Sequence, residues 1–336
     1  MRVYYRPIPM TDPARPAGAL ALAGGWCWFD RVERIARGAE PEVVPLEAAP
    51  PEVLERLTAP RPSLAGLDLS RPRVMAILNV TPDSFSDGGR FAAREAAVAQ
   101  GLRLAEGGAD IIDVGGESTR PGADTVPAAE EIARVVPVIS ELAPRIAAPI
   151  SIDTRKAAVA EAAFAAGAGI LNDVAALGFD PALGPLAARA GVPVCLMHAQ
   201  GDPKTMQADP RYDDVLLDVY DFLEARIAAA EALGIPRARI MVDPGIGFGK
   251  TVEHNLALLR RISLFHALGC PVLLGASRKR FIGVIGRAPE TGERLPGSLA
   301  VALSAVRQGV QIVRVHDSLE TIQALRLDRA LVTPDA

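Results

Sequence analysis

The chain has 336 residues, enough for two average domains or for one enlarged α/β domain with an added segment. Hydrophobic residues make up 49% and charged residues 23%, a globular balance that excludes disorder, and the aromatic share of 4% argues against an all-β protein or a stacking platform for single strands. Lys and Arg total 36 against 40 Asp and Glu, so a formal charge of -4 offers no global basic field for nucleic acid, and any anion site must be local.

Residues 1–72 are rich in proline and alanine, hold both tryptophans and show no sustained period of two or 3.6. They read as an N-terminal extension of unassigned role, too short and too Pro-rich for a second domain, with one short helix expected over 43–57, where Leu46, Val53 and Leu57 share a face. Met1–Met10 lacks the order of a signal peptide, and no apolar run approaches the roughly 20 residues that cross a bilayer. Cys27, Cys195 and Cys270 lie far apart without a C-x-x-C pair, which fits a reducing compartment. The expectation is a soluble cytoplasmic protein with no membrane or nucleic-acid partner.

From Arg73 the pattern changes to short apolar runs alternating with alanine-rich helical stretches. Strands are expected at 74–80, 111–115, 149–154, 169–174, 193–198, 240–244, 271–277 and 312–317. Helices are expected at 92–106, 128–142, 156–166, 181–189, 215–233, 254–267 and 298–308, with a last one after Ser318. Eight βα pairs within 73–331, followed by a short tail at 332–336, match a (β/α)8 TIM barrel. An open doubly wound sheet is the alternative, although no G-x-G-x-x-G follows the first strand.

Residues two apart in a strand share a face. The strand ends then pair Ile77 with Asn79, Ile111 with Asp113, Ser151 with Asp153, Ile170 with Asn172, Leu196 with His198, Met241 with Asp243, Gly275 with Ser277, and Arg314 with His316. Any one of these polar residues reads equally well as a helix cap or turn former. Eight together point to a polar mouth at the C-terminal end of a barrel, where such folds keep their chemistry. Asp113, Asp153 and Asp243 sit among apolar neighbours and need donors, which a ligand could supply. With the amides of Asn79 and Asn172 they form a mostly accepting surface suited to a flat, donor-rich nitrogen heterocycle, favoured for Asp153, Asn172 and Asp243. Metal ligation competes for the same carboxylates, and a Mg2+ near Asn79 reads as an escort for phosphate oxygens rather than a protein-caged ion.

Arg120, Lys279, Arg314 and His316 form an opposite, basic pole suited to phosphate or diphosphate. A surface ion pair for Arg314 and a capped strand end for His316 are the plainer alternatives. The stretch from Pro244 to Thr251 imitates a P-loop but has proline where the motif requires glycine; its glycines instead allow a close turn that leaves Phe248 to pack on a ligand. No nucleophile elbow or H-E-x-x-H helix is present, and Cys195 reads as core, so covalent catalysis has little support. His254 and His266 are expected on the solvent side of a helix.

The stretch Ile77-Leu78-Asn79-Val80-Thr81-Pro82-Asp83-Ser84-Phe85-Ser86-Asp87-Gly88-Gly89, followed by Asp113-Val114-Gly115-Gly116-Glu117-Ser118-Thr119-Arg120-Pro121-Gly122, closely resembles the two signature segments of dihydropteroate synthases. Ser151-Ile152-Asp153-Thr154, Asn172-Asp173, Met197-His198, Asp243-Pro244-Gly245, Ser277-Arg278-Lys279 and Arg314-Val315-His316-Asp317 follow in family order. The resemblance implies condensation of 6-hydroxymethyl-7,8-dihydropterin diphosphate with p-aminobenzoate, releasing diphosphate. It places Asp113, Asp153, Asn172, Met197, Asp243, Lys279 and Arg314 around the pterin, and Asn79, Thr119, Arg314 and His316 around diphosphate, with Mg2+ beside Asn79. Thr119, Pro121, Phe248, Ser277 and Lys279 would border the aminobenzoate. Lys279, Arg314, Asp153 and Asp243 would carry catalysis, the loops 80–91 and 118–126 would close over the substrates, and a homodimer is implied. Two rivals remain. A pterin-dependent methyltransferase would lack the Ser277–Lys279 and Thr119–Pro121 segments, and a non-catalytic pterin binder would have lost a diphosphate ligand.

Overall fold

The structure, a computed structural model, describes residues 2–81, 89–118, 124–201 and 205–332, with only the backbone of 89–92 considered. The leading segment folds. Strands β1 (Val3–Pro7), β2 (Leu20–Ala21), β3 (Trp28–Phe29), β4 (Arg31–Ala36) and β5 (Glu42–Pro45) are followed by helix α1 (Pro51–Thr58). β1, β4 and β5 form an antiparallel sheet in the order β1-β4-β5, and β2 pairs with β3. The helix expected over 43–57 does not form as one piece. Pro51 disfavours helical backbone at Pro50, which is extended, so α1 starts at Pro51, where the missing N–H is harmless.

This segment is docked on the barrel by both polar and apolar contacts. Trp26 Nε1 donates to Val306 O at 2.9 Å, Ser263 Oγ donates to Pro7 O at 2.9 Å, and Arg37 pairs with Asp218 at 2.6 Å and Asp221 at 2.8 Å. Phe29, Val32 and Leu57 are fully buried in the same core as the barrel helices.

The barrel alternates strands and helices: β6 (Arg73–Asn79), α2 (Gly89–Glu106), β7 (Ile111–Gly115), α3 (Ala128–Leu142), β8 (Ile150–Asp153), α4 (Ala157–Ala166), β9 (Ile170–Asp173), α5 (Leu183–Ala190), β10 (Val194–Met197), α6 (Val215–Ala232), β11 (Ile240–Asp243), α7 (Val252–Arg260), β12 (Leu273–Leu274), α8 (Arg280–Gly286), α9 (Leu295–Val306), β13 (Ile312–Val315) and α10 (Ser318–Val332). The strands run parallel in the order β11-β10-β9-β8-β7-β6-β13-β12. The two ends of that order meet through the parallel bridge Val242–Val272, with Val242 N donating to Pro271 O at 3.0 Å. Closure makes this a (β/α)8 barrel and removes the open-sheet alternative.

Two connections differ from expectation. The helix expected over 254–267 breaks at Arg261 and continues as a 3-10 helix, Ile262–Leu268, that ends at Gly269 with φ of 75°. Between β12 and β13 a second helix, α8, precedes α9.

Met75, Ile111, Ile170, Cys195, Met241, Leu273 and Ile312 point inward as a packed floor, and Leu64 and Leu69 from the approach to β6 join them. The alternate residues, such as Ile112, Val194 and Leu196, face the helices. With one end sealed by leucine, polar groups can gather only at the C-terminal end of the strands.

Candidate active site

Two residues beyond the floor, strand alternation turns Asp113, Asn172, Met197, Asp243, Gly275 and Arg314 inward, and β8 adds Ser151 and Asp153. Strand β10 corrects the expected pairing. Cys195 lies in the floor, so Met197 is the mouth residue, while His198 shares the outward face of Leu196. There His198 meets Phe222 edge-on at 4.8 Å, and its Nδ1 accepts from the Lys250 ammonium at 2.9 Å.

Arg314 also departs from its expected place in a separate basic pole. Its Nε donates to Asp113 Oδ2 and a terminal nitrogen to Asp153 Oδ2, both at 2.6 Å, and Asn172 Nδ2 donates to Asp113 Oδ2 at 3.1 Å. β13 lies two strands from β7 around the barrel, within reach of a long guanidinium. Arg314 therefore supplies the donor that these two carboxylates need. Burial opposes its charge, but Asp113 and Asp153 hold its pKa above the ordinary value. Burial raises the Asp153 carboxyl to about 7 against the pull of Arg314. Asp243 is raised by burial too, opposed by the Gly245 N–H that donates to its Oδ1 at 2.7 Å and by Lys279. Asp113 Oδ1 and Ser151 Oγ are buried without a hydrogen-bond partner among the described residues. They are acceptors and donors left for something entering the mouth.

At the rim, the buried Ser277 Oγ receives the His316 backbone N–H at 3.2 Å and faces His316 Nδ1 at 3.1 Å, which orients the imidazole. The Lys279 ammonium lies over the Phe248 ring at 4.1 Å, and a Cβ on Gly247 would meet Lys279 Cδ at 3.1 Å. Asn79 ends β6 beside Asp153, for a Cβ on Gly115 would sit 3.6 Å from Asp153 Cβ and 3.7 Å from Asn79 Oδ1. The structure thus gathers Asn79, Asp113, Asp153, Asn172, Met197, Asp243, Ser277, Lys279, Arg314, His316 and, through Lys279, Phe248 at one end of the barrel. Thr119, Arg120 and Pro121 lie outside the described residues, as do most of the two loops expected to close over the mouth.

Sequence reasoning overlooked Lys250. It is 3% exposed, and its ammonium is surrounded by acceptors under the 244–250 turn. A lysine directly after three alternating glycines was the available signal. His266 is also corrected: it is fully buried, its Nε2 3.0 Å from Gln308 O, because the 3-10 geometry of Ile262–Leu268 turns it toward α9. His254 is half-buried beside Tyr212.

The profile of the pterin binding enzyme family matches residues 75–316. Over 267 residues the chain is 48% identical to the dihydropteroate synthase of Escherichia coli (strain K12), covering 80% of this chain and 94% of that relative. The chain belongs to the dihydropteroate synthase family. Among solved members, a Xanthomonas albilineans dihydropteroate synthase with 4-aminobenzoic acid aligns with a TM-score of 0.77 at 50% identity, covering 82% of this chain and 98% of that one. A Yersinia pestis dihydropteroate synthase in a sulfonamide drug complex aligns with a TM-score of 0.75 at 47% identity, over 80% of this chain and 97% of that one. The family match begins just after the barrel does, at β6, and leaves the docked sheet of β1, β4 and β5 outside it.

Proposed function

We infer that the chain condenses 6-hydroxymethyl-7,8-dihydropterin diphosphate with p-aminobenzoate, giving 7,8-dihydropteroate and diphosphate. The observation that carries this reading is the mouth itself: buried Asp113, Asp153, Asn172 and Asp243 deep in the barrel, with Lys279 and His316 at its rim. A flat heterocycle rich in N–H groups matches the deep acceptors, including the unpartnered Asp113 Oδ1. Relatives support the reactants: Xanthomonas albilineans synthase structures contain 4-aminobenzoic acid and 7,8-dihydropteroate.

Lys279 and His316 at the rim take up the charge of departing diphosphate, and the fixed carboxylates stabilise the positive charge that develops on the pterin methylene. The aromatic amine then attacks that methylene carbon and its proton leaves with solvent. No protein nucleophile takes part, and Cys195 is sealed in the floor. Phe248, Ser277 and Lys279 border the aminobenzoate.

Asn79 suits a hard cation, since its amide oxygen stands near the Asp153 carboxylate. Among the described residues no cluster of three acidic, histidine or cysteine side chains is placed to hold a metal, so Mg2+ here would complete its shell with diphosphate oxygens and water. When bound, Mg2+ supplies neutralisation of diphosphate charge. The homodimer is supported by Val284 and Ile285 on α8 and Leu327 and Leu331 on α10, all more than half exposed. No described helix is long and apolar enough to cross a membrane, and a cytoplasmic site suits three free cysteines.

Asp153→Asn tests the pterin role. By calorimetry the variant is expected to bind the pterin diphosphate at least about tenfold more weakly while its circular dichroism is unchanged. Unaltered affinity would reduce Asp153 to a structural partner of Arg314.

A further inference from the structure

The turn that follows β11 carries Gly245, Gly247 and Gly249, all at positive φ, of 66°, 84° and 61°. Such a sequence has wide backbone freedom, because glycine populates both signs of φ with similar ease. Its packing nevertheless demands one shape. A Cβ on Gly245 would fall 1.8 Å from His198 O, and one on Gly249 would fall 2.4 Å from Gln200 O, so the turn lies directly against the chain leaving β10. Something outside the glycines must select that shape.

The ammonium of Lys250 occupies the inside of the turn. It donates to Gly245 O at 2.9 Å, Phe248 O at 3.0 Å and His198 Nδ1 at 2.9 Å, with a longer contact to His198 O at 3.4 Å. In the protonated form three hydrogens thus meet three short acceptors, two on the turn and one on the end of β10; burial lowers the Lys250 pKa to about 7, with Asp243 opposing the shift. Burial depresses His198 far below its usual pKa and the Lys250 charge adds to this, so the imidazole is neutral and offers Nδ1 as acceptor. Other groups take further polar atoms of the turn: Gly247 N donates to Asn255 Oδ1 at 2.7 Å, Tyr212 Oη donates to Gly249 O at 2.8 Å, Gln207 Nε2 donates to Gly247 O, and Phe248 N donates to Gly245 O at 3.1 Å. Lys250 is the link that spans both ends of the turn and the neighbouring strand. The turn's outward product is Phe248, set 4.1 Å from the Lys279 ammonium.

We propose that Lys250 is a positioning residue for the synthase reaction: its buried ammonium, bonded to the carbonyls of Gly245 and Phe248 and to His198, holds the 244–250 turn so that Phe248 and Lys279 face the aminobenzoate together. Lys250 touches no substrate and acts through Phe248. The inference rests on the synthase reading, for which turnover by the wild-type chain is the control.

The test is a double-mutant cycle on the full chain, with steady-state kinetics in p-aminobenzoate at saturating pterin diphosphate. Lys250→Met keeps the length and removes the donors, and is expected to raise the aminobenzoate KM about tenfold. Phe248→Ala raises it as well. Combining them is expected to raise KM no more than about twofold beyond Phe248→Ala alone, because the lost positioning has nothing left to position. Multiplying effects, or a Lys250→Met KM equal to that of an active wild type, would overturn the proposal and leave the synthase reading standing. If Lys250→Met does not fold, the His198 pair decides. His198→Asn keeps an acceptor where Nδ1 stood and is expected to restore most of the aminobenzoate KM lost in His198→Leu, whereas equal KM values in the two variants would overturn the proposal.

Discussion

Enclosing an imidazole disfavours its charged form, and His266 is enclosed completely, with Arg61 adding repulsion and Gln308 O opposing both. Its pKa falls to about 3, against an ordinary value of 6.5. Because the unfolded chain binds the proton first, stability contributed by the neutral form is present above about pH 6.5 and is lost as pH falls toward 3. Each unit of that window corresponds to about 1.4 kcal/mol. Urea unfolding between pH 7.5 and 4.5 is expected to show a loss in the wild type larger by about 2–3 kcal/mol than in His266→Gln, whose amide can still donate to Gln308 O. Equal losses would mean that His266 is protonated in the folded state. The same scale shows the reach of sequence reading. Asp113, Asp153 and Asn172 were legible as mouth residues because alternation is local, but the bonds of the two carboxylates to Arg314 were not, since they join residues 201 and 161 positions apart.

At the level of elements, parity of side chains along the strands transferred well except on β10. There two polar-tolerant residues, Met197 and His198, end the strand, and only the burial of Cys195 in the floor decides which one faces inward. The two-part connection at 252–268 was hidden because both parts are apolar on one side; Arg261, at φ of -127°, marks the break. A buried ion cluster joins neighbouring βα units. Lys156, just ahead of α4, pairs with Glu131 of α3 at 2.6 Å and with Glu117 after β7 at 3.0 Å, and Arg155 reaches Glu117 at 3.4 Å. Glu131 is wholly buried, so removing its cation strands a charge. Lys156→Met is expected to lower unfolding stability by about 3–5 kcal/mol in urea titration. A loss under about 1 kcal/mol would show that water or another cation replaces the lysine.

For the whole molecule, the barrel was legible because eight βα alternations leave a strong periodic record, whereas the N-terminal sheet was not. Its strands are two to six residues long, and β4 buries Glu33, which breaks alternation and is intelligible only beside Arg6 at 2.5 Å and Arg261 at 3.2 Å. The mild net charge likewise concealed a local arrangement, Asp113, Asp153, Asp243 and Arg314 deep in the barrel and Lys279 and His316 at its rim, which is visible only once the strands close and Leu64 and Leu69 seal the far end. Everything gathered at this mouth serves one reaction, the condensation of a pterin diphosphate with an aromatic amine. The most direct measurement is product formation by the purified full chain supplied with 6-hydroxymethyl-7,8-dihydropterin diphosphate, p-aminobenzoate and Mg2+. Diphosphate and 7,8-dihydropteroate are expected in equal amounts, with competition by a sulfonamide. Folded protein that yields neither product would contradict this assignment.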